Sequence, residues 1–527
     1  MKSEAKKPWQ SLPMAGELMP ENFCEHIIGS YARGRETDLE ADEHVARSLM
    51  PASSALHRSF RNLAPDIPVF SFQDCVGCME CVNECPDTAI LAKVVEPNVL
   101  EERLAKIERP DLRENVKQCF STTNKYHELF VKKGATGGLF GIFVDADKCK
   151  GCGECVVACG THNALKMAPK TDLDLRQFDV AMDLYRHLPD TPAKFINEKA
   201  LGDMMLAQRS QLYAGGAGSC MGCGEVTAVR QMLAATGFVY GAENMGIVAA
   251  TGCNTVFGST YPFNPFAVPW TNSLFENAPA DAMGVRLRWD QEGHGNRRLW
   301  VLGGDGALYD IGFGSLSRML MSGMNIKVLI LDTQVYSNTG GQTSTATFTS
   351  QDAKMAAYGK SQPGKKEQRK EIAQILMMHP NVFVAQTTAA HINHFYKAVM
   401  AANEYPGPAV VVCYTSCMPE HGVADDKAGV QARLAVDSRT FPMLIYDPRK
   451  GGKIRECLSL QGNPAMKEDW FIEPKSGKAV DFVAFAKTEG RFARHFDAEG
   501  NADESLLQAQ QDRLANWRRL QELAGLR

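Results

Sequence analysis

The chain has 527 residues, enough for two or three domains, with 44% hydrophobic and 22% charged residues and a net charge of −4. That balance excludes a disordered chain and gives no strongly basic surface for nucleic acid. No apolar stretch follows the opening MKSEAKKPWQ and no run of about 18 apolar residues occurs, so neither a secretory signal nor a membrane helix is expected and the protein is expected in the cytoplasm.

Residues 1–65 lack clear periodicity, mix proline with charge, and are expected to form an arm that wraps a partner or another domain. The sixteen cysteines then take over the argument. In a large chain without a signal they point to metal rather than to disulfides. Cys75, Cys78, Cys81 and Cys85 (CVGCMECVNECP) and Cys149, Cys152, Cys155 and Cys159 (CKGCGECVVACG) both follow C-x₂-C-x₂-C-x₃-C. Three close thiolates wrap one face of an iron–sulfur cube, and the fourth reaches the other cube. Cys75, Cys78, Cys81 and Cys159 are therefore expected to hold one [4Fe–4S] cluster, and Cys85, Cys149, Cys152 and Cys155 a second. Zinc sites use paired CxxC units instead. Gly77, Gly151 and Gly153 let backbone N–H groups point at sulfur. Gly160 stands where the bacterial pattern has proline.

These features predict a 2[4Fe–4S] ferredoxin-like α+β domain over 66–170. An insertion lies at about 87–147, in which EERLAKIERPDLRENVKQCF is partly helical. A linker over 171–214 follows.

From about residue 215 β-rich runs alternate with helical segments: GIVAATG from 246, a strand over 297–304, IKVLILD from 326, NVFVAQT from 381 and PAVVVCY from 408. Alternation of this kind predicts a doubly wound parallel sheet over 215–435, with ligands at the C-terminal ends of its strands. Gly304, Asp305, Gly306 and Ala307 follow one strand, where glycines admit a diphosphate to a helix start. The next strand ends in LDTQVYSNTGGQ. Asp305, the Thr333 hydroxyl and the Val335 carbonyl, with two diphosphate oxygens and a water, would give Mg²⁺ its six oxygens. The loops meet only if the two strands are neighbours. The pattern reads as a thiamine diphosphate domain.

Cys220 and Cys223 (GSCMGCGE), Cys253 (ATGCNTVFG) and Cys417 (YTSCMPEHG) fit neither ferredoxin run. Cys253 and Cys417 follow strands, on the rim that carries Asp305. Spacing alone leaves zinc and iron–sulfur even; a cofactor that must release electrons favours a proximal [4Fe–4S] cluster, because zinc carries none. Cys24, Cys119, Cys413 and Cys457 read as structural thiols. The basic run GKKEQRK at 364–370 reads as a solvated loop and helix start, and His391 and His394 as structural. The C-terminal extension, 436–527, ends in a helix with Leu507, Leu514 and Trp517 at packing spacing.

GSCMGCGE, ATGCNTVFG, GGDGALYDIGFG, LDTQVYSNTGGQTS, YTSCMPEHG and YDPR together resemble the pyruvate:ferredoxin oxidoreductases of the 2-oxoacid:ferredoxin oxidoreductase family, over roughly residues 66–450. The resemblance implies thiamine diphosphate, Mg²⁺ and three [4Fe–4S] clusters. It implies coenzyme A-dependent oxidative decarboxylation of a 2-oxoacid, pyruvate first, to acyl-CoA and CO₂, reversible as pyruvate synthesis, with ferredoxin as electron partner. Its motifs place Glu225, Cys253, Gly304 to Ala307 and Thr333, Gln334, Val335, Tyr336, Ser337 and Asn338 at the cofactor, with Asn338 and Glu225 closest to the chemistry. The family's pyrimidine-activating glutamate, its substrate-carboxylate arginine and most of its coenzyme A site come from another domain, which implies a partner subunit. Two other readings are a 2-oxoglutarate or other 2-oxoacid enzyme, and an electron-transfer subunit whose α/β domain binds nothing.

Overall fold

A computed structural model of the chain describes residues 23–40, 49–356 and 364–527. It forms two compact units. The first comprises the residues up to Gly222 with Val229–Glu243 and Val256–Pro269; the second comprises Cys223–Ala228, Asn244–Thr255 and Trp270–Arg527. Residues 1–22 and 41–48 of the expected arm lie outside the described residues.

In the first unit, β1 (Asp66–Phe70) pairs antiparallel with β5 (Leu165–Pro169). β2 (Ile90–Val95), β3 (Phe120–Ser121) and β4 (Leu139–Val144) form a second antiparallel sheet in the order β2-β4-β3. The insertion supplies this sheet and two helices, Pro97–Leu104 and Pro110–Lys117. Each helix starts on proline, whose fixed φ and missing N–H cost nothing in the first turn. The stretch expected as a linker folds back instead. Its helix Arg176–His187 places Ala181, Met182, Leu184 and Tyr185 in one core with Leu100, Val116, Phe120 and Phe143. Its apolar residues recur at helical spacing, which gives the segment a face to bury.

The second unit is built on an eight-stranded sheet, in the order β13-β12-β10-β11-β9-β8-β6-β7. β6 (Met245–Ala250), β7 (Trp270–Ser273), β8 (Arg298–Gly304), β9 (Lys327–Asp332), β10 (Phe383–Thr388) and β11 (Ala409–Tyr414) run parallel to one another. β6 and β8 to β11 are the five strands expected from the sequence. Their residues are buried almost throughout, the signature of a sheet covered on both faces. β12 (Leu444–Tyr446) and β13 (Leu458–Ser459) run antiparallel along the outer edge.

The C-terminal extension is part of this core: Phe482, Phe485, Phe492, Leu506, Trp517 and Leu520 pack with Val328, Val384 and Val410. In the helix Glu504–Leu523, Leu514 and Trp517 are buried as expected, whereas Leu507 is 47% exposed and Leu506 faces inward.

The parallel strands share one rim at their C-terminal ends. β8 pairs with β9 from Trp300 opposite Lys327 to Gly304 opposite Leu331. The loops that follow, at Asp305 and at Thr333, are therefore neighbours. Among the described residues no helix is long and apolar enough to cross a membrane.

Candidate cofactor site

Asp305 and Thr333 meet where β8 and β9 end. Asp305 Oδ1 accepts from the Thr333 backbone N–H at 3.2 Å and from the Thr333 hydroxyl at 3.1 Å. The Val335 carbonyl lies 3.1 Å from the same hydroxyl. A carboxylate, a hydroxyl and a carbonyl are thus gathered at one point, the hard oxygen donors that Mg²⁺ takes. Ser344 donates to Asp305 Oδ2, and Ser337 donates to the Thr333 hydroxyl at 2.6 Å. Burial first, and then the nearby Asp332 carboxylate, push Asp305 well above the usual carboxylate range. A cation bound there would offset both effects.

The oxygens border a pocket that opens at the strand ends. Glu225, Cys253, Gly304, Gly306, Ala307, Thr333, Val335, Tyr336, Ser337 and Asn338 all line it. Asp305 lies just behind, fully buried. Gln334 does not line the pocket. It takes φ +60°, which turns its side chain into the protein, where it donates to Asp332 Oδ1 at 3.0 Å. Asn254 and Phe275 line the pocket too, although no sequence signal singled them out. Two oxygens of the lining residues, Glu225 Oε2 and Asn254 Oδ1, are buried without a hydrogen-bond partner. Such orphans are costly in a folded protein and mark where a ligand's donors belong. Burial pushes Glu225 up to about 7, with a hydrogen bond from Cys253 opposing it.

Cys223 and Cys417 approach the same rim. The Gly224 N–H donates to the Ser416 carbonyl at 3.2 Å, which joins the two cysteine-bearing segments backbone to backbone. Cys253 starts a helix three residues after β6 and bonds to Glu225. Cys220 lies in the first unit.

The eight thiols of the two ferredoxin-type runs all lie in the first unit. Cys159 acts electrostatically on Cys75, Cys78 and Cys81, and these four line a cavity of about 340 Å³. Cys85 acts on Cys149, Cys152 and Cys155 in the same way. Burial pushes Cys75 up to about 11 and Cys149 up to about 12; the N–H of Gly77 and that of Gly151 pull the other way by hydrogen-bonding the two sulfurs. Gly160 has φ +55°, which a proline ring could not adopt. Among the described residues no group of three or more His, Cys, Asp or Glu side chains is drawn tightly enough to hold a metal ion as it stands.

The family model for the C-terminal thiamine pyrophosphate-binding domain of thiamine pyrophosphate enzymes matches residues 250–413, and the model for the 4Fe–4S binding domain matches residues 142–162. The pyruvate-flavodoxin oxidoreductase of Rhodospirillum rubrum is 26% identical, over 98% of this chain and 46% of its own length. The pyruvate:ferredoxin oxidoreductase of Moorella thermoacetica is 27% identical, over 81% of this chain and 40% of its own. The chain is thus similar to pyruvate-flavodoxin and pyruvate:ferredoxin oxidoreductases. It spans less than half the length of these relatives.

Several residues behind the pocket went unread in the sequence. His421 is fully buried; its Nε2 donates to the Thr333 carbonyl at 2.9 Å, and its Nδ1 lies 3.4 Å from the Cys417 N–H. Arg491 donates to Gln334 Oε1 at 2.9 Å. The basic run is a correction. Lys365 and Arg369 are buried rather than solvated: Lys365 donates to the Thr347 carbonyl at 2.9 Å, and Arg369 pairs with Asp332. Their acceptors lie far off in sequence, so only the fold reveals them.

Proposed function

We propose that these 527 residues form the part of a 2-oxoacid oxidoreductase, with pyruvate as substrate, that holds thiamine diphosphate, Mg²⁺ and three [4Fe–4S] clusters. The whole enzyme then converts pyruvate and coenzyme A to an acyl-CoA and CO₂, reversibly, and passes two electrons to a small carrier such as ferredoxin. The observation that carries this reading is the pocket where an oxygen triad and two orphaned buried oxygens converge at the ends of β6, β8 and β9.

Asp305, the Thr333 hydroxyl and the Val335 carbonyl hold the metal that anchors the diphosphate. Thiamine diphosphate, when bound, supplies the nucleophilic carbon and the electron sink for decarboxylation. Glu225 and Asn254 give buried acceptors to its polar edge. Tyr336 and Phe275, whose rings pack edge to face with centroids 6.4 Å apart, exclude water from the pocket. Asn338 borders the pocket where the substrate enters. Cys220, Cys223, Cys253 and Cys417 would ligate the proximal cluster, a reading supported by the contact between Cys253 and the pocket-lining Glu225.

The exposure of single thiols supports an order for the other two centres. Cys85, Cys149 and Cys155 are buried, which suits a centre that relays electrons internally. Cys78 is exposed, which suits delivery from the Cys75, Cys78, Cys81 and Cys159 centre to an external carrier. The pyrimidine-activating glutamate, the substrate-carboxylate site and the coenzyme A site belong to protein outside these residues, whether a partner subunit or further sequence of a longer chain.

The test is turnover of the assembled enzyme with several 2-oxoacids and coenzyme A, followed by ferredoxin reduction. Pyruvate is expected to give the highest kcat/KM, with activity strictly dependent on thiamine diphosphate. Electron transfer without any 2-oxoacid turnover overturns the proposal, and pyruvate oxidation by these 527 residues alone overturns the external origin of the missing groups.

A further inference from the structure

The loop that presents Thr333 and Val335 contains a conformational oddity. Gln334 sits between them in the left-handed region, at φ +60°, with its side chain fully buried. A non-glycine residue is strained there and persists only where its surroundings hold it. The holding groups are identifiable, and the principal one comes from the C-terminal segment.

Arg491 donates from one terminal nitrogen to Gln334 Oε1 at 2.9 Å, while its Nε donates to Glu489 Oε2 at 2.6 Å. Arg491 and Glu489 have no measurable side-chain exposure. Glu489 Oε1 in turn accepts from Tyr414 and from Gln431, both at 3.2 Å. Gln334 is held at its other end by Asp332, and its carbonyl accepts from Thr347 at 2.6 Å. Thr333 is held separately, through the 2.9 Å bond from His421 to its carbonyl.

The segment that delivers Glu489 and Arg491 docks against the residue after His421. Gly422 has φ +64°, and a Cβ added to it would meet Gly490 Cα at 2.8 Å; the Gly490 N–H donates to the Gly422 carbonyl at 3.2 Å. Two glycines back to back let one backbone lie directly on the other. His421 and Arg491 therefore reach the metal loop from a single junction.

We propose that residues 489–491 are a positioning element of the cofactor site. Arg491, aligned by Glu489, fixes Gln334 in its left-handed turn, so that the residues before and after it both present oxygen to the metal. The inference rests on the reading of Asp305, Thr333 and Val335 as metal ligands. It gives the C-terminal extension a task in cofactor binding. Neither Arg491 nor Glu489 lines the pocket; both act through Gln334.

The test uses the assembled enzyme, this chain together with the protein that completes the site, with its clusters in place. Thiamine diphosphate binding is measured by equilibrium dialysis as Mg²⁺ is titrated, beside thermal unfolding. Removing Arg491 alone strands a buried Glu489, so the main variant is the double change Glu489→Gln/Arg491→Met, which removes both charges. We expect the Mg²⁺ concentration for half-saturation to rise about 10- to 100-fold, the usual effect of losing a group that orients a metal ligand. Arg491→Lys, which keeps the charge and one donor, should recover part of that loss. Unchanged Mg²⁺ dependence in the folded double variant overturns the inference, and so does a fall in thermal stability with no shift in that dependence. If the unaltered chain binds thiamine diphosphate without regard to Mg²⁺, or not at all, the metal-site reading itself fails, and the inference with it.

Discussion

The Asp332 carboxylate and the Arg369 guanidinium face each other with their side chains 0% and 1% exposed, directly beneath the Thr333 loop. Tyr309 donates to the same carboxylate, and Arg369 also donates to the Ala346 carbonyl at 2.6 Å. The pair thus ties the end of β9 to chain segments up to 37 residues away. Arg369→Met is expected to destabilise the protein by about 3–5 kcal/mol, because it leaves a charge buried without its partner. Asp332→Asn/Arg369→Met together should cost less than Arg369→Met alone. Denaturant unfolding of the three proteins checks the order.

Asp305→Asn should separate binding from stability. Burial and the Asp332 charge already oppose ionisation of Asp305, so a neutral amide should leave the metal-free protein as stable as before or slightly more so. Mg²⁺-dependent thiamine diphosphate binding should nevertheless fall by about 100-fold or more, since the one anionic ligand is gone. Calorimetric titration beside a thermal melt reads both quantities.

The crossed pattern of thiols predicts which substitutions share a phenotype. Cys159→Ser should disturb the same electron paramagnetic resonance component as Cys75→Ser, although 84 sequence positions separate them. Cys85→Ser should group with Cys152→Ser. If each run proves to hold its own cluster, Cys85→Ser will group with Cys75→Ser instead.

Acid should weaken the second unit at a defined place. Burial holds His391 and His394 down to about 4, helped by Arg433 near the first ring and by His391 and Lys397 near the second. Their Nδ1 atoms bond to the hydroxyls of Thr388 and Thr387, each at 2.9 Å. The unfolded rings take a proton near pH 6.5 and the folded rings do not. Stability from this source is therefore complete above about pH 6.5 and is lost as pH falls toward 4, at about 1–3 kcal/mol per ring. The difference in melting temperature between the wild type and His391→Gln/His394→Gln should shrink or reverse over that interval. A difference that stays constant between pH 7.5 and 4.5 would rule this out.

The five long strands were legible because each is a run of β-branched or aliphatic residues between turn signals. The short ones were not. β7, with sequence WTNS, is polar at three of its four positions, and β12 has three residues, too few for any period to register. Asp305, Thr333 and Asn338 could be read because their spacing relative to a strand end has chemical meaning. The groups behind them could not. Arg491 is 157 positions from Gln334, and His421 is 88 from Thr333, distances over which a linear pattern says nothing. Composition misled at Arg369, where a cluster of basic residues read as a wet surface although the fold supplies Asp332. Gln334 fell within the motif, yet only the backbone angle reveals that its side chain turns inward.

β12 and β13 are short, yet they close the open flank of β10, whose amides and carbonyls would otherwise be available to a stranger's strand. The same tail brings Phe482, Phe485 and Trp517 to plug the hydrophobic interior. A chain cut after Asp437 would keep every thiamine-binding motif and still present a sticky seam beside a gutted core. The compact folding unit therefore extends to the last helix, well beyond where the recognisable signature stops.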